Sequence, residues 1–409
     1  MALTPKDTAL LRDLAKKQME YAQSPALQTL RGEWLAHNSL QGRRPMITVE
    51  TRTFARDVIA PHLECEDQWA RGVEGTLRAA LLNHEVFGDD TVVKDHYPVR
   101  NWTWFRPFGI EIKVNRQASL GYHIAPIIED LQQDYHKLGK STYGGDPTGA
   151  QKACDRINEV LGDILPAKTV GGALIVCLTQ NLVHLMSMEN MYISMCDYPE
   201  LFAEVMQRLS DDYMEYFHWL GQQGLILPTT ADEEVPQGTI AFTDELPNTG
   251  SLTAADIWCY ADSQESAGIS ADMYAELIFP YYKRITDMCG LLSYGCCEAV
   301  HPFWESCLST LANLRKVSVS PWCEEAYMGE RLAGGNVIYH RKPSPNYLGL
   351  PGTLDEDALR THITATLQAA PGCKLEFTQR DVYTVGGDVQ KVGRYVEIIR
   401  QECQKRSYP

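Results

Sequence analysis

The sequence predicts an α/β fold, a (β/α)8 TIM barrel preceded by a helical extension, and three observations carry that prediction. From residue 46 onward, short apolar strand-like runs alternate with amphipathic helices, as parallel strands joined by crossover helices require. The alternation repeats roughly eight times, the number that closes such a barrel. No Gly-rich phosphate-binding turn follows the first strand, which disfavours an open doubly wound sheet. At 409 residues the chain has the length of one such barrel with insertions.

Residues 1–40 read as helical, with Leu10, Leu11, Leu14, Met19, Tyr21 and Leu27 set among charges, and form an N-terminal extension, a cap or an oligomerisation arm. Residues 41–409 form the barrel. Its strand candidates are 46–49, 91–94, 172–177, 225–227, 256–260, 290–294, 316–319, 337–340 and 374–378, one of them in excess and read as a hairpin or edge piece. Two helices are well marked. Over 199–220, Leu201, Val205, Leu209, Tyr213, Phe217 and Leu220 make one apolar stripe, with Pro199 in the first turn and Gly221 and Gly224 after the last. Over 271–289, Ser270 is the N-cap, Met273, Leu277, Tyr281, Ile285 and Met288 form the stripe, and Pro280 predicts a kink.

Bulk composition narrows the function. A formal charge of −16, with no basic run longer than a pair of residues, excludes nucleic acid as the expected partner. No apolar run is long enough for a membrane span, and the charged stretch 6–17 lacks a signal-peptide core, so a cytoplasmic location is expected. Twelve cysteines in such a chain read as buried small side chains rather than a disulfide framework. The adjacent pair Cys296-Cys297 stands apart from them.

Several segments, in order and spacing, match a known family. Ile269-Ser270-Ala271-Asp272-Met273-Tyr274 with Phe279-Pro280-Tyr281-Tyr282-Lys283, then Leu291-Leu292-Ser293-Tyr294-Gly295-Cys296-Cys297-Glu298, resemble the helix and following strand of the uroporphyrinogen decarboxylase superfamily. Met188-Glu189-Asn190, Asp197-Tyr198-Pro199-Glu200-Leu201 and Gly334-Gly335-Asn336 are similar to further family segments, so the resemblance covers about residues 165–400. It implies one of two chemistries. One is cofactor-free decarboxylation. The other is zinc-assisted methyl transfer between a small donor and a corrinoid (cobalamin) on a separate protein.

Glu50 stands where the decarboxylases carry the first of two carboxylate-binding arginines, which argues against an acidic tetrapyrrole. The methyltransferase branch fits better. Cys296 aligns with the thiolate of the family's His-x-Cys, with Tyr294 in place of the histidine; Pro371-Gly372-Cys373 matches another ligand motif but lies at the wrong end of a strand. The resemblance therefore implies zinc held among Cys296, Cys297, Glu298 and Cys323, against the alternative that the cysteines pack and Glu298 is a helix N-terminal acid. Glu298, Asp95, His96 and Tyr294 are the catalytic candidates, with His96 equally readable as structural. Glu50, Trp102, Glu265, Trp322, His340, Arg341 and Asp381 are the substrate-binding candidates. His340 and Arg341 read equally as a solvated turn, and Trp102 with Trp104 as packing. The expected function is transfer of a methyl group from a small methylated substrate, as in O-demethylation of an aryl methyl ether or demethylation of an amine, to a corrinoid protein. The alternative is a metal-independent decarboxylase or lyase of a small acid. A homodimer is compatible with the helical arm.

Overall fold

The computed structural model describes residues 3–116, 122–229 and 234–405. Its centre is one sheet of seven strands: β1 (Met46–Val49), β2 (Leu174–Val176), β3 (Trp258–Ala261), β4 (Leu291–Tyr294), β5 (Leu314–Val319), β6 (Ile338–Arg341) and β7 (Leu375–Gln379). All pairings are parallel, in the spatial order β1-β7-β6-β5-β4-β3-β2. Consecutive strands from β2 to β7 are neighbours, and β1 adds beyond β7, as the predicted alternation requires.

The eighth paired strand expected of a closed barrel is not present among the described residues. Residues 91–94, expected as a strand beside β1, are irregular. Carboxylates do part of a strand's work there. The Ile47 amide donates to Asp90 Oδ2 and the Val49 amide to Asp89 Oδ2, each at 2.8 Å, while the Asp90 amide donates to the Ile47 carbonyl at 2.7 Å. Residues 225–227 are irregular as well, and the Leu225 carbonyl is held by Asn101 Nδ2 at 3.2 Å. Between the two edge strands lies the segment 235–242. Thr48 Oγ1 of β1 donates to the Gly238 carbonyl at 2.8 Å, while Val235 and Ala241 pack with Cys177, just past β2. Three inter-strand spacings separate β7 from β4, about 14 Å on a flat sheet. Yet Cys297 Sγ after β4 lies 3.7 Å from Asp381 Oδ2 after β7. Side chains that short meet only because the C-terminal edge curls inward.

The helices follow the predicted patterns closely. α1 (Pro5–Ala22) and α2 (Pro25–Asn38) each start from a hydroxyl N-cap, Thr4 and Ser24, followed by proline. α3 (Leu178–Asp197) leads into α4 (Pro199–Gln222), which buries Phe202, Val205, Leu209, Tyr213, Phe217 and Leu220. The expected kink at Pro280 is a full break: α5 (Ala271–Leu277) stops at Ile278 and α6 (Phe279–Thr286) starts again. No helix among the described residues is long and apolar enough to cross a membrane. Cys259 of β3 and Cys289 before β4 form a disulfide, where packed thiols were expected, and the remaining cysteines are free.

One face of the sheet packs on these helices; the other carries a polar layer. Lys316 Nζ of β5 sits 2.9 Å from Glu376 Oε2 of β7, with both side chains fully buried. His340 Nε2 lies 2.7 Å from Thr378 Oγ1, which in turn meets Thr48 Oγ1 at 2.8 Å. From α2, His37 reaches Glu376 at 3.5 Å and Asn38 Nδ2 donates to the carbonyls of Ile240 and Phe242. The Lys316 ammonium also lies over the Trp34 and Trp258 rings. Burial alone would raise the Glu376 carboxyl, but Lys316 and both imidazoles outweigh it and hold it below the usual carboxylate range. Burial pushes His340 down to about 3, so it is neutral.

Candidate functional site

Parallel strands deliver their ligand-binding side chains at their C-terminal ends, and here those ends converge. The residue after β3 that continues the inward alternation of Trp258 and Tyr260 is Asp262; the corresponding positions after β6 and β7 are Lys342 and Arg380. After β4 the chain turns at Gly295, whose φ is +101° and where a Cβ would lie 2.9 Å from Ser318 Cβ. Only glycine fits that turn. It aims the Cys296 amide at Glu298 Oε2, 2.8 Å away, while Glu298 Oε1 takes the Ser263 amide at 3.1 Å. The Glu298 carbonyl accepts Ser320 Oγ at 3.1 Å. Glu298 thus ties together the ends of β3, β4 and β5.

Around that clamp lies a thiol pair between cations and acids. Cys296 Sγ is 3.5 Å from Cys297 Sγ and 3.5 Å from Arg380 Nη1. Lys342 Nζ donates to the Cys296 carbonyl at 3.1 Å and to Gln237 Oε1 at 2.5 Å, and Arg380 donates to the same Gln237 oxygen. Arg380 also pairs with Glu50 at 2.9 Å and Asp381 at 3.3 Å. The Cys297 thiol hydrogen bond, then Lys342 and Arg380, bring Cys296 down to about 6 against the cost of burial; Cys297 moves up in response.

On the other side stand Asp262, Glu265 and Glu298. Burial raises all three carboxyls, Asp262 to about 7, with Glu298 the next contributor to its rise. Tyr260 donates to Asp262 Oδ2 at 2.5 Å, whereas Oδ1 is buried with no hydrogen-bond partner. Thr179 Oγ1 donates to Glu265 Oε2 at 2.8 Å and meets Ser263 Oγ at 3.2 Å.

The structure therefore brings together Cys296, Cys297, Glu298, Glu50 and Asp381, with Glu265 on the same rim and Cys323 behind it. Cys323 Sγ lies 3.8 Å from the Glu298 carbonyl, and burial raises its thiol. It does not bring the other expected residues there. Tyr294 lies on the helix-packed face and meets the Tyr274 hydroxyl at 2.6 Å. Arg341 points the same way, donating to Val319 and Ser320 carbonyls and pairing with Glu325. His340 belongs to the polar layer beneath. Asp95 and His96 bond each other at 2.8 Å, and α1's Gln18 donates to the His96 carbonyl. Trp102 is exposed in the turn between strands Tyr97–Arg100 and Thr103–Arg106, and Trp322 is exposed on the rim after β5. Lys342 and Arg380 lie in strand-end runs the sequence offered, 340–342 and 379–381, whereas Asp262 and Gln237 were not anticipated; strand alternation would have found Asp262, and nothing in the sequence marks Gln237.

The residues as placed do not suit the zinc ion that the resemblance implies. Among the described residues no three His, Cys, Asp or Glu side chains are gathered to hold a metal. Arg380 faces the Cys296 sulfur, Glu298 spends both oxygens on amides, and Cys323 faces a carbonyl.

No family model matches the chain. No curated protein matches it either. Among solved structures it is similar to a methyltransferase from Methanosarcina mazei, with a TM-score of 0.53 and 14% identity over 91% of this chain and 98% of that one. A putative vitamin-B12-independent methionine synthase from Listeria monocytogenes aligns with a TM-score of 0.39 and 12% identity over 88% of this chain and 96% of the other. The first likeness shows a shared fold: an α/β architecture around a parallel sheet.

Proposed function

We propose that the chain is an enzyme that moves a methyl group from a small methylated substrate, such as an aryl methyl ether or a methylated amine, to the cobalt of a corrinoid carried by a separate protein. The observation that carries this reading is the cluster at the C-terminal strand ends, where a thiol held between two cations faces a set of buried, protonatable carboxyls. The fold shared with a methyltransferase, and Cys296 standing where the sequence resemblance implied a functional thiol, support it.

The hard step in such a transfer is departure of the heteroatom, which needs a proton. Asp262 is suited to supply it. Its pKa of about 7 keeps the acid form populated at neutral pH, and Tyr260 fixes one oxygen while the other makes no strong hydrogen bond. Glu298 holds the three strand ends in register, so the donor acid and the thiol keep their positions. The bound corrinoid would supply a strongly nucleophilic reduced cobalt. No step is routed through zinc, because Arg380 rather than an open ligand position faces Cys296.

The test is to incubate the protein with chemically reduced cobalamin and a panel of aryl methyl ethers, methylated amines and thioethers, following methylcobalamin by absorbance. Turnover with one class is expected. No methylcobalamin from any of them, together with release of CO2 from a small acid, would replace methyl transfer with decarboxylation.

A further inference from the structure

We infer that Cys296 is itself a nucleophile, a metal-free thiolate that takes the methyl group of the donor onto its sulfur before passing it on. The inference rests on the methyl-transfer reading for its place in turnover, but its chemistry stands on the geometry around the sulfur.

Three features favour the thiolate. Arg380 Nη1 lies 3.5 Å from Cys296 Sγ. Cys297 Sγ stands 3.5 Å away on the neighbouring residue, a polarisable partner for the same sulfur. Lys342, whose ammonium is buried, has only uncharged acceptors, Gln237 Oε1 and the carbonyls of Gly295 and Cys296. A buried ammonium without a carboxylate partner is costly. A negative sulfur on Cys296 offsets that cost, and Arg380, although paired with Glu50 and Asp381, adds to the same field. In a zinc-dependent enzyme the metal would hold the sulfur ionised; here a guanidinium and an ammonium do so and leave the sulfur lone pair free to attack.

The step balances. The Cys296 sulfur pair forms the S–C bond as the bond from the methyl carbon to its heteroatom breaks. That heteroatom keeps the bonding pair and receives the proton of Asp262. The methyl group then passes to the acceptor nucleophile, the sulfur retains the S–C pair, and the thiolate is restored.

The experiment needs neither donor nor corrinoid. The full chain is treated with methyl 4-nitrobenzenesulfonate, a small methylating probe, across a pH series, and S-methylcysteine is located by peptide mass spectrometry. Cys296 is expected to be methylated ahead of the exposed Cys196, with a rate midpoint below the ordinary thiol range because Arg380 and Lys342 lie beside it. Arg380→Met and, separately, Lys342→Met are each expected to slow it about tenfold and move the midpoint up by about one pH unit. Two variants guard against one misfolding, with circular dichroism as the check. Methylation of Cys196 while Cys296 stays unmodified overturns the inference, as does a midpoint in the ordinary thiol range. Methylated Cys296 without transfer to cobalamin would sink the proposed function and leave this inference standing. Active transfer with an inert Cys296 would do the reverse.

Discussion

Two layers on the same sheet face, one among the strands and one at and beyond their C-terminal ends, treat charge in opposite ways. In the lower layer Lys316, Glu376, His340, His37, Thr378 and Thr48 are buried, and the one full cation meets the one full anion at 2.9 Å. In the upper layer Asp262, Glu265 and Glu298 crowd together with raised pKa values, and the nearby cations, Lys342 and Arg380, lie on the side of the thiols. Identical strand geometry supplies both. The lower layer is arranged for stability; the upper one keeps groups in protonation states that a stable interior would neutralise, as a working site does.

The sharpest way to break this contrast is to remove one partner below. Lys316→Met leaves the Glu376 carboxylate buried without its cation, and a loss of about 3–5 kcal/mol is expected in denaturant unfolding. A loss under about 1 kcal/mol would mean that His37 and His340 take over the Glu376 charge, and the layers would no longer differ in kind.

The matching change above has the opposite signature. Asp262→Asn keeps the shape and the Tyr260 contact but removes the proton donor. Turnover in the cobalamin assay is expected to fall by about 10²–10³, while thermal stability holds or rises because one of three crowded acids is gone. Full turnover would remove Asp262 from the mechanism. Equal loss of turnover and stability would make it a structural residue.

The strands were legible in the sequence, while the polar residues of the two layers were legible only in part, for a physical reason. β1 falls on the predicted residues 46–49, and the strands after β2 lie within a residue or two of their predicted runs, because each is a short apolar stretch between turn residues. The break at Pro280 follows from a ring without an amide hydrogen. Residues 91–94 misled because Val92 and Val93 look strand-like, while Asp89 and Asp90 fold back to take the β1 amides themselves. At the site, Cys296 and Glu298 were found from their order in a known pattern. Tyr294, from its place in the His-x-Cys pattern, and Arg341, as a strand-end residue, were expected there, but the period-2 alternation points both at the helices. The same alternation puts Asp262 two residues beyond Tyr260, on the inner face. A one-residue change of parity separates a site residue from a packing residue, and composition does not report parity.

pH separates the layers more gently. His340 has a folded pKa of about 3, below the ordinary value of about 6.5. The unfolded chain therefore takes a proton that the folded one refuses, and stability present above about pH 6.5 is lost as pH falls, at up to ~1.4 kcal/mol per pH unit. Burial lowers His37 in the same sense. Asp262, raised to about 7 from an ordinary value of about 3.9, works the other way: the folded chain holds a proton the unfolded one releases, so its contribution is present at low pH and lost as pH rises through 7. Between pH 7 and 5, His340→Gln is expected to flatten the fall in melting temperature and Asp262→Asn to steepen it. Slopes that move in the same direction would show that the two layers titrate as one.

The smallest expected effect lies outside both layers. Trp322 is 74% exposed on the loop after β5 and is held there by its backbone amide, which donates to Ser320 Oγ at 3.3 Å. An indole so exposed contributes little to folding, so Trp322→Ala should leave stability within about 0.5 kcal/mol. In the proposed reaction a corrinoid protein covers the strand ends, and an exposed indole on that rim would touch that protein rather than a small donor between the strands. The variant should therefore methylate free reduced cobalamin at the wild-type rate and lose rate only with a corrinoid protein as acceptor. Loss with free cobalamin as well would move Trp322 from the partner surface into the site. An unchanged rate with both acceptors would leave the rim without a role, and the contrast between a stable lower layer and a reactive upper one would then have to account for function by itself.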